Sequence, residues 1–206
     1  MAQSQFPFEY PGEPHRRKHG PAGYSHYTKY REWLRDEFEF RCVYCLRRET
    51  WEMREASWEI DHFWPRAIRP DRALEYDNLI YACRRCNNCK RSHVFPNPCR
   101  HAYDKHLRVD QDGAIRGVTR HGRRMIRLLK LDSPSARHYR EAKIRSVRSL
   151  AQTDPRGYVL VMGYPCDDEL PDIGALHAKV PRNTRPAGVA QSCLARRSRG
   201  ELPETY

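Results

Sequence analysis

A chain of 206 residues suits one domain with extensions, and a hydrophobic content of 39% closes only a modest core, so a bound metal would matter to stability. Lys and Arg number 38 against 26 Asp and Glu, a net charge of +12 that points to a polyanionic partner. No apolar run approaches the roughly 18 residues a membrane span needs, and Met1–Tyr10 lacks a basic segment followed by an apolar one. Membrane insertion and secretion are therefore not expected, and a cytoplasmic location is. The charge excess is uneven: residues 105–152 hold 13 Lys and Arg against 4 Asp and Glu, nine of the twelve net charges. Such a stretch is either a solvated helix face or a phosphate-binding surface.

Residues 1–25 carry Pro7, Pro11, Gly12, Pro14, Gly20, Pro21 and Gly23 without an apolar period, which reads as an irregular leader. Its Phe6, Phe8, Tyr10 and Tyr24 could pack on a surface. From about His26 to Glu39, Tyr27, Tyr30, Leu34 and Phe38 recur at helical steps, so a helix leads into the first cysteine pair. Ala56–His62 alternates as a strand, with Trp58 and Ile60 on one side and Glu59 and Asp61 on the other, until Pro65 stops it. Residues 66–78 read as a loop, Leu79–Ala82 as a second strand, and Arg84 to about Ser92 as a helix. Pro96 and Pro98 end this unit, which spans 26–104. Asp112-Gly113 between Val109 and Ile115 signals a hairpin. Helices follow at roughly 120–131, with Met125, Ile126 and Leu129 on one face, and at 134–151. Ser133 can cap the second, Pro134 suits its first turn, and Ala136, Tyr139, Ile144, Val147 and Leu150 share a face. Most of the Arg and Lys lie off these stripes, so 105–152 reads as a basic hairpin and helices packing on the core. Residues 153–206 read as an irregular C-terminal extension, with a strand only at Tyr158–Met162.

Six of the eight cysteines fall within 42–99. Cys42-Val43-Tyr44-Cys45 is followed, after 37 residues, by Cys83-Arg84-Arg85-Cys86, and two such pairs are the usual way to give a tetrahedral zinc four thiolates. A disulfide framework suits small exported domains instead. A thioredoxin-like pair would need a βαβ setting, which is absent. Cys89 lies one helical step after Cys86, so spacing alone leaves a ligand open between Cys83 and Cys89. Cys99, Cys166 and Cys193 read as ordinary thiols.

Between and beyond the pairs stand Glu59-Ile60-Asp61-His62-Phe63-Trp64-Pro65-Arg66, then Asp77-Asn78-Leu79, then Cys86-Asn87-Asn88-Cys89-Lys90. Together they resemble the HNH nuclease family in its zinc-bearing form, over about residues 42–91. The resemblance implies an α+β protein with a ββα-metal (His-Me finger) core, a structural zinc at Cys42, Cys45, Cys83 and Cys86, and flanking helices. It further implies metal-dependent endonuclease activity, on DNA sooner than RNA. Gly122–Leu131 looks like the helix that often follows such a unit. Where many members carry a Gly-Gly turn, Ala67–Tyr76 runs without glycine.

Cleaving a phosphodiester needs an activated nucleophile and charge stabilisation at the departing oxygen. His62 is the expected general base, with Asp61 and Asn87 as the oxygen ligands that a hard cation, Mg2+ or Mn2+, prefers. Asn87 sits about 100° around the helix from Cys86, which lets one face a cleft and the other the zinc. Arg66, Lys90 and Arg91 are expected at phosphates, and Arg123, Arg124 and Arg127 along double-stranded DNA, with Arg127 the one most able to turn toward the protein. Asn78 is expected to tie the loop to the helix, and Glu59 either reaches the site or faces solvent. Two other readings are a zinc-stabilised nucleic-acid-binding module without cleavage activity, and a zinc protein whose basic helices meet another protein.

Overall fold

The computed structural model describes residues 6–52, 57–180 and 182–206. In chain order, a short strand β1 (Pro21–Ala22) precedes a 3-10 turn at Tyr27–Tyr30 that runs directly into helix α1 (Arg31–Glu37). The helix expected from His26 to Glu39 is thus present as these two pieces. It buries Tyr30, Trp33 and Leu34. Strand β2 (Trp58–His62) pairs antiparallel with β3 (Leu79–Cys83), Ile60 opposite Tyr81 and His62 opposite Leu79, and helix α2 (Arg84–Lys90) follows without a break. Of the expected strand, Ala56 lies outside the described residues. The intervening loop contains two 3-10 turns, Pro70–Arg72 and Tyr76–Asn78.

The expected hairpin is formed by β4 (Leu107–Val109) and β5 (Ile115–Gly117), with Gly113 at φ +77° in its turn. Helix α3 (Arg120–Leu129) starts at Thr119, whose hydroxyl accepts from Gly122 N, and it buries Met125, Ile126 and Leu129. Gly122 lets this helix press on the hairpin, since a Cβ there would stand 1.9 Å from the His106 carbonyl oxygen. Helix α4 (Pro134–Thr153) has the expected Ser133 cap and Pro134 in its first turn, and buries Ile144 and Val147. Its inner face also takes Arg140, whose Nε donates to Gly113 O at 2.7 Å, so not every cation of the basic segment faces water.

The C-terminal part departs from expectation. Tyr158–Met162 is not a strand but the end of helix α5 (Pro155–Met162). Asp154 accepts from Gly157 N at 3.0 Å, and Pro155 occupies the first turn, a start signal that outweighs the β-branched content of the run. Helices α6 (Ile173–His177) and α7 (Cys193–Ser198) follow, and between them β6 (Arg182–Asn183) pairs antiparallel with β1. Arg48 donates to Met162 O at 2.8 Å and to the Tyr206 carbonyl, tying this region to the first cysteine turn. The leader is equally engaged: Phe8 and Tyr10 belong to the main hydrophobic cluster along with Trp33, Trp58, Tyr81, Met125 and Ile144. No helix among the described residues is long and apolar enough to cross a membrane.

The leader is fastened through two fully buried carboxylates at the end of α1. Asp36 accepts from Lys18 Nζ at 3.0 Å, bonds His19 Nε2 at 2.9 Å and accepts from Cys193 N at 2.6 Å. Glu37 bonds His15 Nε2 at 2.8 Å and accepts from the backbone N–H groups of Lys18 and His19. Burial pushes both carboxyls up, but the hydrogen bonds and neighbouring charges, His19 and Lys18 at Asp36, His15 and Arg17 at Glu37, outweigh it and hold each at about 2. These values lie below the roughly 4 of unfolded carboxyls. The stabilisation is therefore complete above about pH 5 and is lost as pH falls toward 2. We expect the unfolding free energy to drop by a few kcal/mol over that window, and the Asp36→Asn, Glu37→Gln double variant to show a clearly shallower acid slope in denaturant titrations. Equal slopes in the two chains would remove these carboxylates as the source.

Candidate active site and metal centre

Cys42 and Cys45 sit in a tight turn after α1, closed by Leu46 N to Cys42 O at 2.9 Å and Cys42 N to Arg47 O at 2.8 Å. Leu46 takes φ +59° to complete it. Cys83 ends β3 and caps α2, its sulfur accepting from Cys86 N at 3.5 Å, and Cys86 lies in the first turn of that helix. The four sulfurs all lie within 4.8 Å of one another, and Cys45 Sγ stands 3.7 Å from Cys83 Sγ. That separation is too long for a disulfide and matches the edge of about 3.8 Å of a tetrahedron with Zn–S bonds near 2.3 Å. The donors fit zinc. Cys89 is outside the cluster, so the alternative that spacing left open is closed in favour of Cys83.

Beyond the cysteine cluster, β2 and α2 are joined through two polar pairs, Asp61 with Lys90 and Glu59 with Asn87. Asp61 is 4% exposed and accepts from Tyr44 Oη at 2.6 Å and from Lys90 Nζ at 2.9 Å. Lys90 is fully buried and also donates to His62 O at 2.8 Å. Its expected place at a phosphate is therefore corrected: helical spacing put its Cα on the side of Asn87, but the long stem carries the ammonium inward to a buried ion pair. Asn87 donates to Glu59 Oε2 at 2.6 Å, and Glu59 Oε1 accepts from Arg84 at 3.1 Å. Glu59 thus faces the helix and not open solvent.

His62, at the end of β2, is 9% exposed, and its Nε2 lies 3.1 Å from the Ala73 carbonyl oxygen. A carbonyl can only accept, so Nε2 carries the proton and the lone pair is on Nδ1. Burial holds the imidazole below its ordinary value, against the opposing pull of Ala73 and Asp61. The side chain is thereby a neutral acceptor at pH 7. Tyr27 meets the imidazole edge-to-face at 4.8 Å, and the exposed Arg66 lies over the other ring at 5.7 Å. Asn78 does tie the loop, though to the turn after β2 and not to the helix: Oδ1 accepts from Trp64 N at 2.8 Å while Nδ2 donates to Trp64 O and Arg72 O. This bracket fixes the turn that presents Ala73 to His62.

Residues 42–93 match the HNH endonuclease family model. The stretch is about a quarter of the chain and contains every cysteine of the cluster together with Asp61, His62 and Asn87. The resemblance to zinc-bearing HNH proteins holds over this segment. No curated protein gives a significant match to the chain.

Outside the HNH-matching segment, Arg120, Arg123, Arg124 and Arg127 line one concavity on α3. Arg123 and Arg127 are exposed. Arg124 is the one that turns toward the protein, with Nη1 donating to Val94 O at 2.7 Å and its guanidinium over Phe95, which corrects the expectation for Arg127. Arg91 is exposed at the end of α2, where φ of +51° turns the chain away. Tyr27 and Tyr44 are the site residues that sequence reasoning missed. Tyr44 had a positional signal, being inside the first Cys-x-x-Cys turn and so carried against β2.

Proposed function

We propose that the protein is a metal-dependent endonuclease that hydrolyses nucleic-acid phosphodiester bonds, with double-stranded DNA as substrate. In this reading β2, β3 and α2 form the ββα-metal (His-Me finger) core, and Zn2+ on Cys42, Cys45, Cys83 and Cys86 ties its ends together. The observation that carries the reading is the His62–Ala73 hydrogen bond, which puts the proton on Nε2 and leaves the Nδ1 lone pair to accept one at the end of β2, next in sequence to Asp61. His62 takes a proton from the attacking water at Nδ1 as the water oxygen bonds to phosphorus. The bond from phosphorus to the departing sugar oxygen breaks, and that oxygen is protonated by solvent. Arg66 and Arg91 neutralise flanking phosphates. Asp61 and Asn87, with Glu59 beside them, offer oxygen donors of the kind Mg2+ or Mn2+ takes. When bound, the cation supplies positive charge where the departing oxygen becomes negative. Lys90 and Tyr44 hold the Asp61 carboxylate in place. The cytoplasm, where thiols stay reduced, is the compartment this reading assigns.

One observation favours a second reading. Both Asp61 oxygens are already engaged, one by a buried ammonium, so a site that kept that pairing would bind nucleic acid without loading a cation. Incubation with plasmid, linear duplex, single-stranded DNA and RNA, each with Mg2+ or Mn2+, separates the two. Cleavage of duplex DNA supports the first reading, and binding without cleavage of any substrate supports the second.

The α3 arginines give a separate expectation for affinity. Each phosphate neutralised on duplex DNA contributes roughly 0.9 to the slope of log affinity against log salt. Replacing Arg123, Arg124 and Arg127 together by Gln should weaken binding to all sequences and lower that slope by about 2 to 3. Unchanged affinity and slope would make α3 an ordinary solvated face.

A further inference from the structure

Larger than the concavity on α3 is a cleft of about 830 Å³ built from four separate chain segments, with Val94 and Phe95 in its wall. Six arginines line it: Arg16 and Arg17 from the leader, Arg69 and Arg72 from the loop after β2, Arg100 from the segment after α2, and Arg185 from the C-terminal part. Asp77 is its one acidic lining residue. Three of the six are partnered, Arg69 with Asp71, Arg72 with Glu75 and Arg185 with Asp77. Arg16 and Arg100 are exposed and make no ion pair among the described residues. Arg17 is stacked on Phe38 and Tyr76 and donates from Nη2 to Leu79 O, while its buried Nε and Nη1 have no hydrogen-bond partner.

Charge of this density calls for phosphates, and the rest of the lining narrows the form. Trp64, half-buried, shares the cleft with the arginines, while Phe63 and Phe95 are buried in its wall. An aromatic ring set among cations binds an unpaired base, which has a free π-face, whereas a duplex keeps its base faces stacked on one another and offers phosphates and groove edges. The location fits the same occupant. Phe63 and Trp64 follow His62 directly, and Arg72 precedes the Ala73 that bonds it, so the cleft wall is one residue from each end of the His62–Ala73 contact. On its far side the cleft reaches Val94 and Phe95, where Arg124 of the α3 surface is anchored. Arg124 thus ties the α3 surface to this wall of the cleft.

We propose that this cleft binds an unpaired nucleic-acid strand that continues from a duplex held on α3, so that the preferred substrate is a junction between duplex and single strand. The inference rests on the nuclease reading only for the bond that is cut, and the binding is tested without cleavage. The full chain, with magnesium and manganese omitted, is titrated across a salt series with a blunt duplex, the same duplex bearing a single-stranded tail, and the tail alone.

The tailed duplex should bind about tenfold more tightly than the blunt one. Arg16→Gln with Arg100→Gln should erase that gain and lower the salt slope on the tail alone by about 1.4, at roughly 0.7 per phosphate on single strands, while blunt-duplex binding stays near wild type. Trp64→Ala should cost about tenfold on the tail with little change of slope; if that variant fails to fold, the two exposed arginines still decide. Equal binding of blunt and tailed duplex, or a loss in the arginine variant that falls on both alike, overturns the proposal. A wild-type chain that prefers the tail yet cuts no substrate with either cation sinks the nuclease reading and leaves the cleft standing.

Discussion

Replacing His62 by Ala should lower the rate of phosphodiester cleavage by a factor of at least about 100, and up to about 10,000, because a positioned base contributes on that scale. Zinc content and affinity for duplex DNA should stay near wild type, since among the described residues the imidazole bonds the Ala73 carbonyl and meets Tyr27 at its edge. The comparison is a time course of plasmid nicking at saturating magnesium, with binding measured on the same preparations. Near-normal cleavage by a folded His62→Ala protein would take the histidine out of the mechanism and shift attention to the carboxylates of β2, Glu59 and Asp61.

The largest effect on stability is expected at the cysteine cluster. Elemental analysis should find one equivalent of zinc in the purified protein, and Cys42→Ser or Cys86→Ser should lose it together with cooperative unfolding. Structural zinc contributes on the order of 10 kcal/mol in small sites, which exceeds what a modest core can replace. Cys89→Ser is the matched control, because that sulfur is outside the cluster, and it should keep both metal and cooperativity. A folded, active protein without zinc would overturn the assignment.

The cysteines were legible because thiolates at Cys-x-x-Cys spacing have few alternative uses in a chain of this kind. What spacing could not decide was Cys83 against Cys89, a matter of which sulfur the start of α2 turns toward Cys42 and Cys45. The capped helices were legible too, since Ser133-Pro134 and the faces of α3 and α4 are local signals. Lys90 was misread for a physical reason: helix geometry places a Cα, whereas a four-carbon stem decides where the charge ends up. The leader carried no periodic signal, because it is held by side chains of α1 that accept from its backbone and histidines. Tyr158–Met162 is ambiguous by residue type and is settled by Asp154-Pro155 just before it, a helix start signal that outweighs the β-branched run. The cleft of six arginines was invisible because its members come from four segments that only the folded chain assembles.

The two-residue ladder between β1 and β6 joins Pro21 to Asn183 and Ala22 to Arg182, and Asp36 waits for a donor at Cys193. On a ribosome, the leader and α1 emerge well before what secures them, since Cys193 follows Asp36 by 157 residues. Contacts of such sequence separation are slow to form, because a long loop must close before any of them is rewarded. The cysteine turn, β2, β3 and α2 can be completed early with metal in hand, whereas the leader arginines and Arg185 reach their common cleft only when the late segment docks. A nascent chain would therefore acquire its metal-stapled centre well before its full basic surface, which delays tight hold on nucleic acid until the segment with Arg185 has docked.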